Sequence, residues 1–566
     1  MKKLIKSISK KEKYIVWSVI IGLIIILAIP FFYLFITAPD GYDWTGLHIL
    51  TPGDYNHYFG YMEQVKDGHF LFIDHFTGEE QVRNIFRPEW LAAGLIAKWT
   101  TLDNRLVFQI FRSLLIIPFL WMLYVFISYF FKSFKKRMYS FLFIIFSSGI
   151  GFVFFLFQGL SDCYAGDFFQ YPMDLWVPEI NAFMSAFNSP HLIYSFILIL
   201  FILLMAFIGF EKNKLKYFIY GGLATKLLII SHPFHLLLVF GLICLILLIK
   251  IIQAKKLFIS HFFHVLVFSL LTLPAIIYQG YLFMFDDLTQ IRAIQNVCLT
   301  TTFSYTLISL GFILVFALVG VIFMIKHRKL LPEKLWYLVI WVVFQFALIY
   351  SPIAWQRRMI ETMSVPLGLL AVVGILYLAK LIKQKNKFIF DVLKNKFIIL
   401  ILVVLVLALS NVSVYLNDFQ VQSSKKGWHF VYFPEYVYTA FDWLDQNVAD
   451  DDLVFADPYM GNYIPGRTGL SVYAGHGVET AYFQSKNDNT VWFFKDETDL
   501  EKKIEFLSQN SIDYIFFADY PFVLVEEYPV PEFLSNEKYF KPVFSHEGVI
   551  IYEVVSYVYS KPCNCD

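Results

Sequence analysis

The chain has 566 residues, of which 58% are hydrophobic, 19% aromatic and only 16% charged, with a formal net charge of +1. Soluble globular chains carry about 25% charged and 45–50% apolar residues, so this composition excludes an ordinary soluble protein and indicates a membrane one. The near-neutral balance offers no electrostatic basis for nucleic-acid binding, and five scattered cysteines do not make a disulfide framework.

A bilayer core of about 30 Å is crossed by roughly 20 apolar residues in a helix. Eleven such runs are expected, at Tyr14 to Ile36, Arg105 to Phe131, Met138 to Leu160, Pro190 to Phe210, Tyr217 to Ser231, Phe234 to Ile252, Leu257 to Tyr281, Phe303 to Ile325, Leu335 to Tyr350, Met359 to Ala379 and Phe397 to Leu416. The fifth is short, and Ser231-His232-Pro233-Phe234-His235 supplies a break, because proline lacks a donor and restricts the residue before it. The first has a basic front and no small-residue cleavage site after it, which reads as an uncleaved signal anchor.

Lysine and arginine then fix an orientation. With a cytoplasmic amino terminus, every inside loop is basic, including Lys132, Lys135, Lys136 and Arg137 and the run from Lys380 through Lys396. The outside loop from Ser161 to Ser189 has no Lys or Arg but has Asp162, Asp167, Asp174 and Glu179. An odd number of spans leaves the carboxy terminus outside. Cys163 and Cys298 fall in outside loops and are candidates to pair. Cys563 and Cys565 form a Cys-x-Cys near the end that lacks the second ligand pair of a zinc site.

Two segments are expected outside the bilayer. The loop 37–104 belongs to a transmembrane domain of residues 1–416 and places Trp44, Tyr55, Tyr58, Tyr61 and Trp90 at the interface. The tail, 417–566, reads as an extracytoplasmic α/β domain: a helix near Pro434 to Gln446, a strand at Leu453 to Ala456, a glycine-punctuated stretch from Gly461 to Gly477, a helix near Leu500 to Asn510, a strand at Tyr514 to Ala518, and strands near Pro542 to Phe544 and Val549 to Val554. It has no Walker or dinucleotide spacing.

In the first outer loop, Gly53-Asp54-Tyr55-Asn56-His57-Tyr58 runs on to Gly68. Asp54 reads either as a helix cap or as a catalytic carboxylate; as a cap, it would put Tyr58 and Tyr61 on one face and Gly68 at the helix end. A first span, a long outer loop with an acid followed by an aromatic-rich helix and a glycine, many further spans and an outside α/β tail resemble the GT-C superfamily, polytopic glycosyltransferases that use polyprenyl-phosphate-linked sugars, such as the protein mannosyltransferases and lipid A aminoarabinose transferases. In the mannosyltransferases this loop usually has two adjacent acids, whereas Asp54 here is followed by Tyr55.

The resemblance implies a multi-pass glycosyltransferase of the cell envelope that moves a sugar from a polyprenyl-phosphate donor to an extracytoplasmic acceptor. Its partners would be the lipid-linked donor and membrane lipids, and the one cofactor left open is a divalent cation. Such chemistry needs a carboxylate to take the acceptor proton beside groups that hold a phosphate. Asp54, as base or metal ligand, Asp174 and Glu179 are the carboxylate candidates. Arg357 and Arg358, in a short outside loop where the orienting rule disfavours cations, suit the phosphate, and the resembled family keeps a basic residue near the lipid phosphate. Tyr58, His232 and His235 join them as substrate-binding candidates, the histidines suiting either a divalent ion or a phosphate. Lys226, charged inside a span, is expected to face a polar cavity. The alternative is a transporter or flippase of lipid-linked saccharides, for which paired internal repeats are the usual sign; none is evident.

Overall fold

The computed structural model describes residues 2–47, 50–154, 171–255, 257–385, 407–423, 431–495, 499–519 and 530–555. The chain divides into two compact units. One comprises Met1–Ile29, Ile110–Tyr281 and Val297–Gln420, the other Pro30–Gln109, Leu282–Asn296 and Val421–Asp566. The outer loop groups with the tail, and so does the short segment 282–296.

The protein is a multi-pass membrane protein. Among the described residues seven helices are long and apolar enough to cross a bilayer: Lys10–Ile36, Asn104–Phe130, Pro190–Lys212, His235–Ala254, Ile259–Phe285, Phe303–Lys326 and Gln356–Gln384. Three of the remaining expected spans are shorter as helices. Phe134–Phe146 stops at the extended Ser147, Leu215–Ser231 has 17 residues, and Lys334–Leu348 has 15. The last expected span lies largely outside the described residues, as do Cys163, Cys563 and Cys565. The break at Pro233 is where the sequence puts it, with one helix ending at Ser231 and the next starting at His235.

One charge inside the first unit is met by backbone carbonyls. Arg112, 1% exposed within a span, donates to the carbonyls of Ala186, Phe187 and Leu27 at 2.9–3.1 Å. Lys226 is exposed on its helix.

The second unit is built around a five-stranded sheet of β3 (Leu453–Phe455), β4 (Ser471–Val472), β5 (Tyr514–Ala518), β6 (Phe540–His546) and β7 (Val549–Val554), in the order β4-β3-β5-β7-β6. The β3 pairings with β4 and β5 are parallel; β5 with β7 and β6 with β7 are antiparallel. Phe455, Phe493, Leu507, Ile515, Phe517 and Phe540 bury one core beside it. Strands β1 (Tyr42–Trp44) and β2 (Tyr432–Pro434) form a separate antiparallel pair. The glycine-punctuated stretch is not a run of turns. Pro458–Thr468 is a helix, started by Pro458 and by the Asp457 carboxylate, which accepts the N–H groups of Tyr459 and Met460.

The helix Pro52–Lys66 packs against Pro458–Thr468 and Pro88–Thr100. Glycine makes the first contact close: a Cβ at Gly466 would lie 2.9 Å from the Asn56 carbonyl. A side chain at Gly461 would lie 2.1 Å from the Ala474 carbonyl, so only glycine lets that helix meet the 474–475 backbone. Gly68, at φ +103°, ends Pro52–Lys66 as expected, with its own N–H on the Val65 carbonyl and that of His69 on the Gln64 carbonyl.

Candidate functional site

The start of Pro52–Lys66 differs from the cap reading. Thr51, in the left-handed region, is the flanking residue, Pro52 fills the first turn, and Asp54 lies inside that turn near the positive end of the helix dipole. Its carboxylate is 44% exposed, and one oxygen, Oδ1, is 3.1 Å from His476 Nε2. Asn462 secures this turn, accepting from Asn56 at 2.8 Å and donating to the Gly53 carbonyl at 3.2 Å.

Behind Asp54 lies a buried ionic cluster drawn from four stretches. Arg292, on the helix Asp287–Gln295, donates to Asp74 at 3.2 Å and to Glu479 at 3.3 Å. His57, one turn beyond Asp54, approaches Glu479 at 4.0 Å, and its ring centroid is 6.0 Å from that of His476. Burial opposes ionisation of both carboxylates, but Glu479 also faces His57 and His476. Glu479 is therefore held low while Asp74 is raised. Burial pushes His57 down to about 4, with Glu479 opposing and His476 and Arg292 reinforcing.

The loop after β4 holds His476. Thr480 accepts the N–H groups of Gly475 and His476 at 3.0 Å, and Gln295 donates to the carbonyls of Val478 and Thr480. Two further N–H groups, of Val478 and Glu479, donate to His476 Nδ1 at 3.1 Å. Burial opposes a charge on this ring, and Asp54, Glu479 and Asp74 outweigh it to draw the pKa upward.

Tyr58, half-buried, stacks on Trp90 at 4.3 Å, whereas the buried Tyr61 packs on His57 and Phe72.

The other sequence candidates fall in the first unit. Asp174 is fully buried, accepts the Gly151 N–H at 3.0 Å, and is so enclosed that a Cβ at Gly151 would lie 2.4 Å from it. Burial raises its pKa to about 7, against hydrogen bonds from Ser410, Gly151 and Ser309. This is the surrounding of a carboxylate that braces a loop and not of one presented to a ligand. Glu179 is buried in the turn Pro178–Ile180, which packs on the turn Gln356–Ile360. On that second turn Arg357 lies over the Trp176 ring at 4.5 Å and Arg358 over Phe234 at 5.2 Å, while the buried Arg357 Nε has no hydrogen-bond partner among the described residues.

His235 donates from Nε2 to Glu361 at 2.7 Å, and the other Glu361 oxygen accepts from Ser195. Gln345 donates to the carbonyls of Met359 and Glu361, which fixes the backbone after the arginines. His232 stacks on His191 at 5.6 Å. The structure thus brings Arg357, Arg358, His232 and His235 into one neighbourhood and adds Glu361. Among the described residues no group of three His, Cys, Asp or Glu is placed to hold a metal ion. In the cluster behind Asp54 the guanidinium of Arg292 already meets both buried carboxylates. Among the described residues this cluster does not fit a resident cation.

The residues missed in the sequence, Asp74, Arg292, Glu479, His57 and His476, left one readable signal. Arg292 is a cation in an expected outside loop, the same departure that singled out Arg357 and Arg358.

No protein-family model matches the sequence, and no curated protein does. Among solved structures, the archaeal oligosaccharyltransferase AglB from Archaeoglobus fulgidus, in complex with an inhibitory peptide and a dolichol-phosphate, is similar with a TM-score of 0.51 at 14% identity, covering 90% of this chain and 70% of that one. ArnT from Cupriavidus metallidurans, bound to undecaprenyl phosphate, gives a TM-score of 0.45 at 12% identity over 95% and 98% of the two chains.

The depressed His57 has a measurable consequence. An unfolded histidine titrates near 6.5 and folded His57 near 4, so the unfolded chain binds more protons between these values. Stability should therefore fall as pH drops through that window, by about 3 kcal/mol for a shift of this size. Thermal unfolding of purified protein should show this loss flattened in H57F relative to wild type, and parallel pH profiles would contradict a neutral buried His57.

Proposed function

We propose that this protein, whose fold is that of the GT-C membrane glycosyltransferases, moves a sugar from a polyprenyl-phosphate-linked donor to an acceptor outside the cytoplasm. The observation that carries the reading is Asp54: an accessible carboxylate in the first turn of an otherwise buried helix, backed by an internally neutralised cluster. Fixed charge behind it is spent on Arg292, which leaves Asp54 as the acid of the group half open to solvent.

In the reaction the acceptor heteroatom attacks the anomeric carbon, the bond from that carbon to the phosphate oxygen breaks, and the acceptor proton passes to Asp54. The electron pair leaves with polyprenyl phosphate, whose charge Arg357 and Arg358 are proposed to hold. Arg357 suits that role because its guanidinium, packed on Trp176, keeps a buried N–H without a partner among the described residues. Glu361, His235 and Gln345 would fix the turn that carries both arginines, while His232 is a candidate donor to the same phosphate. Asp174 is left out of the mechanism by its enclosure.

Three results test this. D54N keeps size and much hydrogen bonding but cannot take a proton. Transfer from a polyprenyl-phosphate-linked sugar should fall by about 10²–10⁴-fold with normal membrane insertion, and full transfer by a normally inserted variant would remove Asp54 as base. For the arginines, R357K and R358K keep charge but lose the two-pronged geometry, so titration with purified donor should show about tenfold weaker binding. Anchoring to lipid head groups predicts equal affinities instead. The asymmetry of Lys and Arg also orients the chain, with Lys135 cytoplasmic and the tail outside. An impermeant thiol reagent on intact cells should label a single cysteine at Lys538 and not at Lys135, and the reverse pattern would overturn the topology.

A further inference from the structure

We infer that His476 is a positioning residue for Asp54. As the neutral Nε2–H tautomer it donates to one carboxylate oxygen, holds the acid as its anion, and does not itself carry the reaction's proton. This rests on the reading of Asp54 as base.

A backbone N–H can only donate, and two of them, from Val478 and Glu479, arrive at His476 Nδ1. Nδ1 is therefore an acceptor, the ring proton sits on Nε2, and the Nε2 contact at 3.1 Å is a donation to Asp54 Oδ1. An imidazolium would turn an Nδ1 proton onto those two amides. The charged groups around the ring are Asp54 and His57 on Pro52–Lys66, Asp74, Arg292 and Glu479. Arg292 shares its charge with Asp74 and Glu479, so those carboxylates are already compensated and the two amides decide the tautomer.

Two consequences follow for the reaction. A ring with Nε2 protonated and Nδ1 occupied is a dead end for protons, so no relay runs from Asp54 through His476. The proton that Asp54 takes from the acceptor must leave to water, for which its 44% exposure provides the route. Donation to Oδ1 also favours the carboxylate over the acid, which restores the base after each turnover.

The full-length protein in lipid nanodiscs, with a polyprenyl-phosphate-linked hexose and an envelope extract supplying the acceptor, gives kcat/KM against pH. H476A should move the acid limb up by about one pH unit, the loss of one donor to a carboxylate. Near neutral pH it should lower kcat about tenfold, with the KM for donor unchanged. H476Q, whose amide N–H replaces Nε2–H, should restore the wild-type limb. An unshifted limb in folded H476A, or a folded H476Q no better than H476A, would overturn the assignment. Nitrogen chemical shifts of labelled His476 provide a readout free of activity. The neutral ring at pH 8 should be the Nε2–H tautomer, and an Nδ1–H ring there would refute it even if H476A does not fold. Failure of the transferase reading is separate, because it is read from full transfer by D54N, whereas the tautomer is read from the spectrum of the wild-type protein.

Discussion

The buried guanidinium of Arg292 is the interaction on which the second unit's arrangement depends. It joins Asp74 in the outer loop to Glu479 in the tail, two residues some four hundred positions apart, from a short helix that lies between two spans in sequence. Removing one partner of such a network leaves a buried charge uncompensated, at a cost of about 3–5 kcal/mol. The three stretches of chain that make up the unit therefore stand or fall together. Gln295, one turn on, adds contacts to the same loop. The loop that carries His476 is thus held from both sides, and the direction of the His476 ring toward Asp54 follows from it.

The same economy governs the first unit, where water is not available to satisfy polar groups. Arg112 is met by three carbonyls, and Glu361 by His235 and Ser195. Two guanidiniums on aromatic faces, Arg357 on Trp176 and Arg358 on Phe234, sit in a turn whose closing backbone is pinned by Gln345. Aromatic faces hold a cation in place without neutralising it by a countercharge, which suits Arg357 to an incoming anion.

Much of this was legible in the sequence. Strands β5 and β7 have the bounds that alternation and flanking turns predict, and the helix expected near Leu500 to Asn510 runs Leu500–Gln509. Apolar length located the seven long helices, because hydrocarbon thickness sets a local requirement that a local run of residues can meet. What could not be read was partnership across long separations. Glycines 461 and 466 look like turn residues until the helix and loop they pack against are known, and Asp54 looks like a cap because Thr51 gives no local sign of taking that place. Asp174 and Glu179 share an acidic loop with no cations, yet Asp174 is sealed by glycines 149 and 151, which precede it in the chain by more than twenty residues. Burial of that kind is a tertiary property, with no signature at the residue itself.

The central claim is that a bond in a lipid-linked sugar is broken here, as opposed to the intact saccharide being carried across a bilayer. Purified protein in proteoliposomes, given a donor labelled in both the sugar and the polyprenyl phosphate together with an acceptor-containing envelope extract, tests this most directly. The account predicts that free polyprenyl phosphate appears in step with labelled acceptor, one for one, with no requirement for movement of the donor between leaflets. Intact donor recovered in the opposite leaflet, with both labels still joined and no polyprenyl phosphate released, would contradict it.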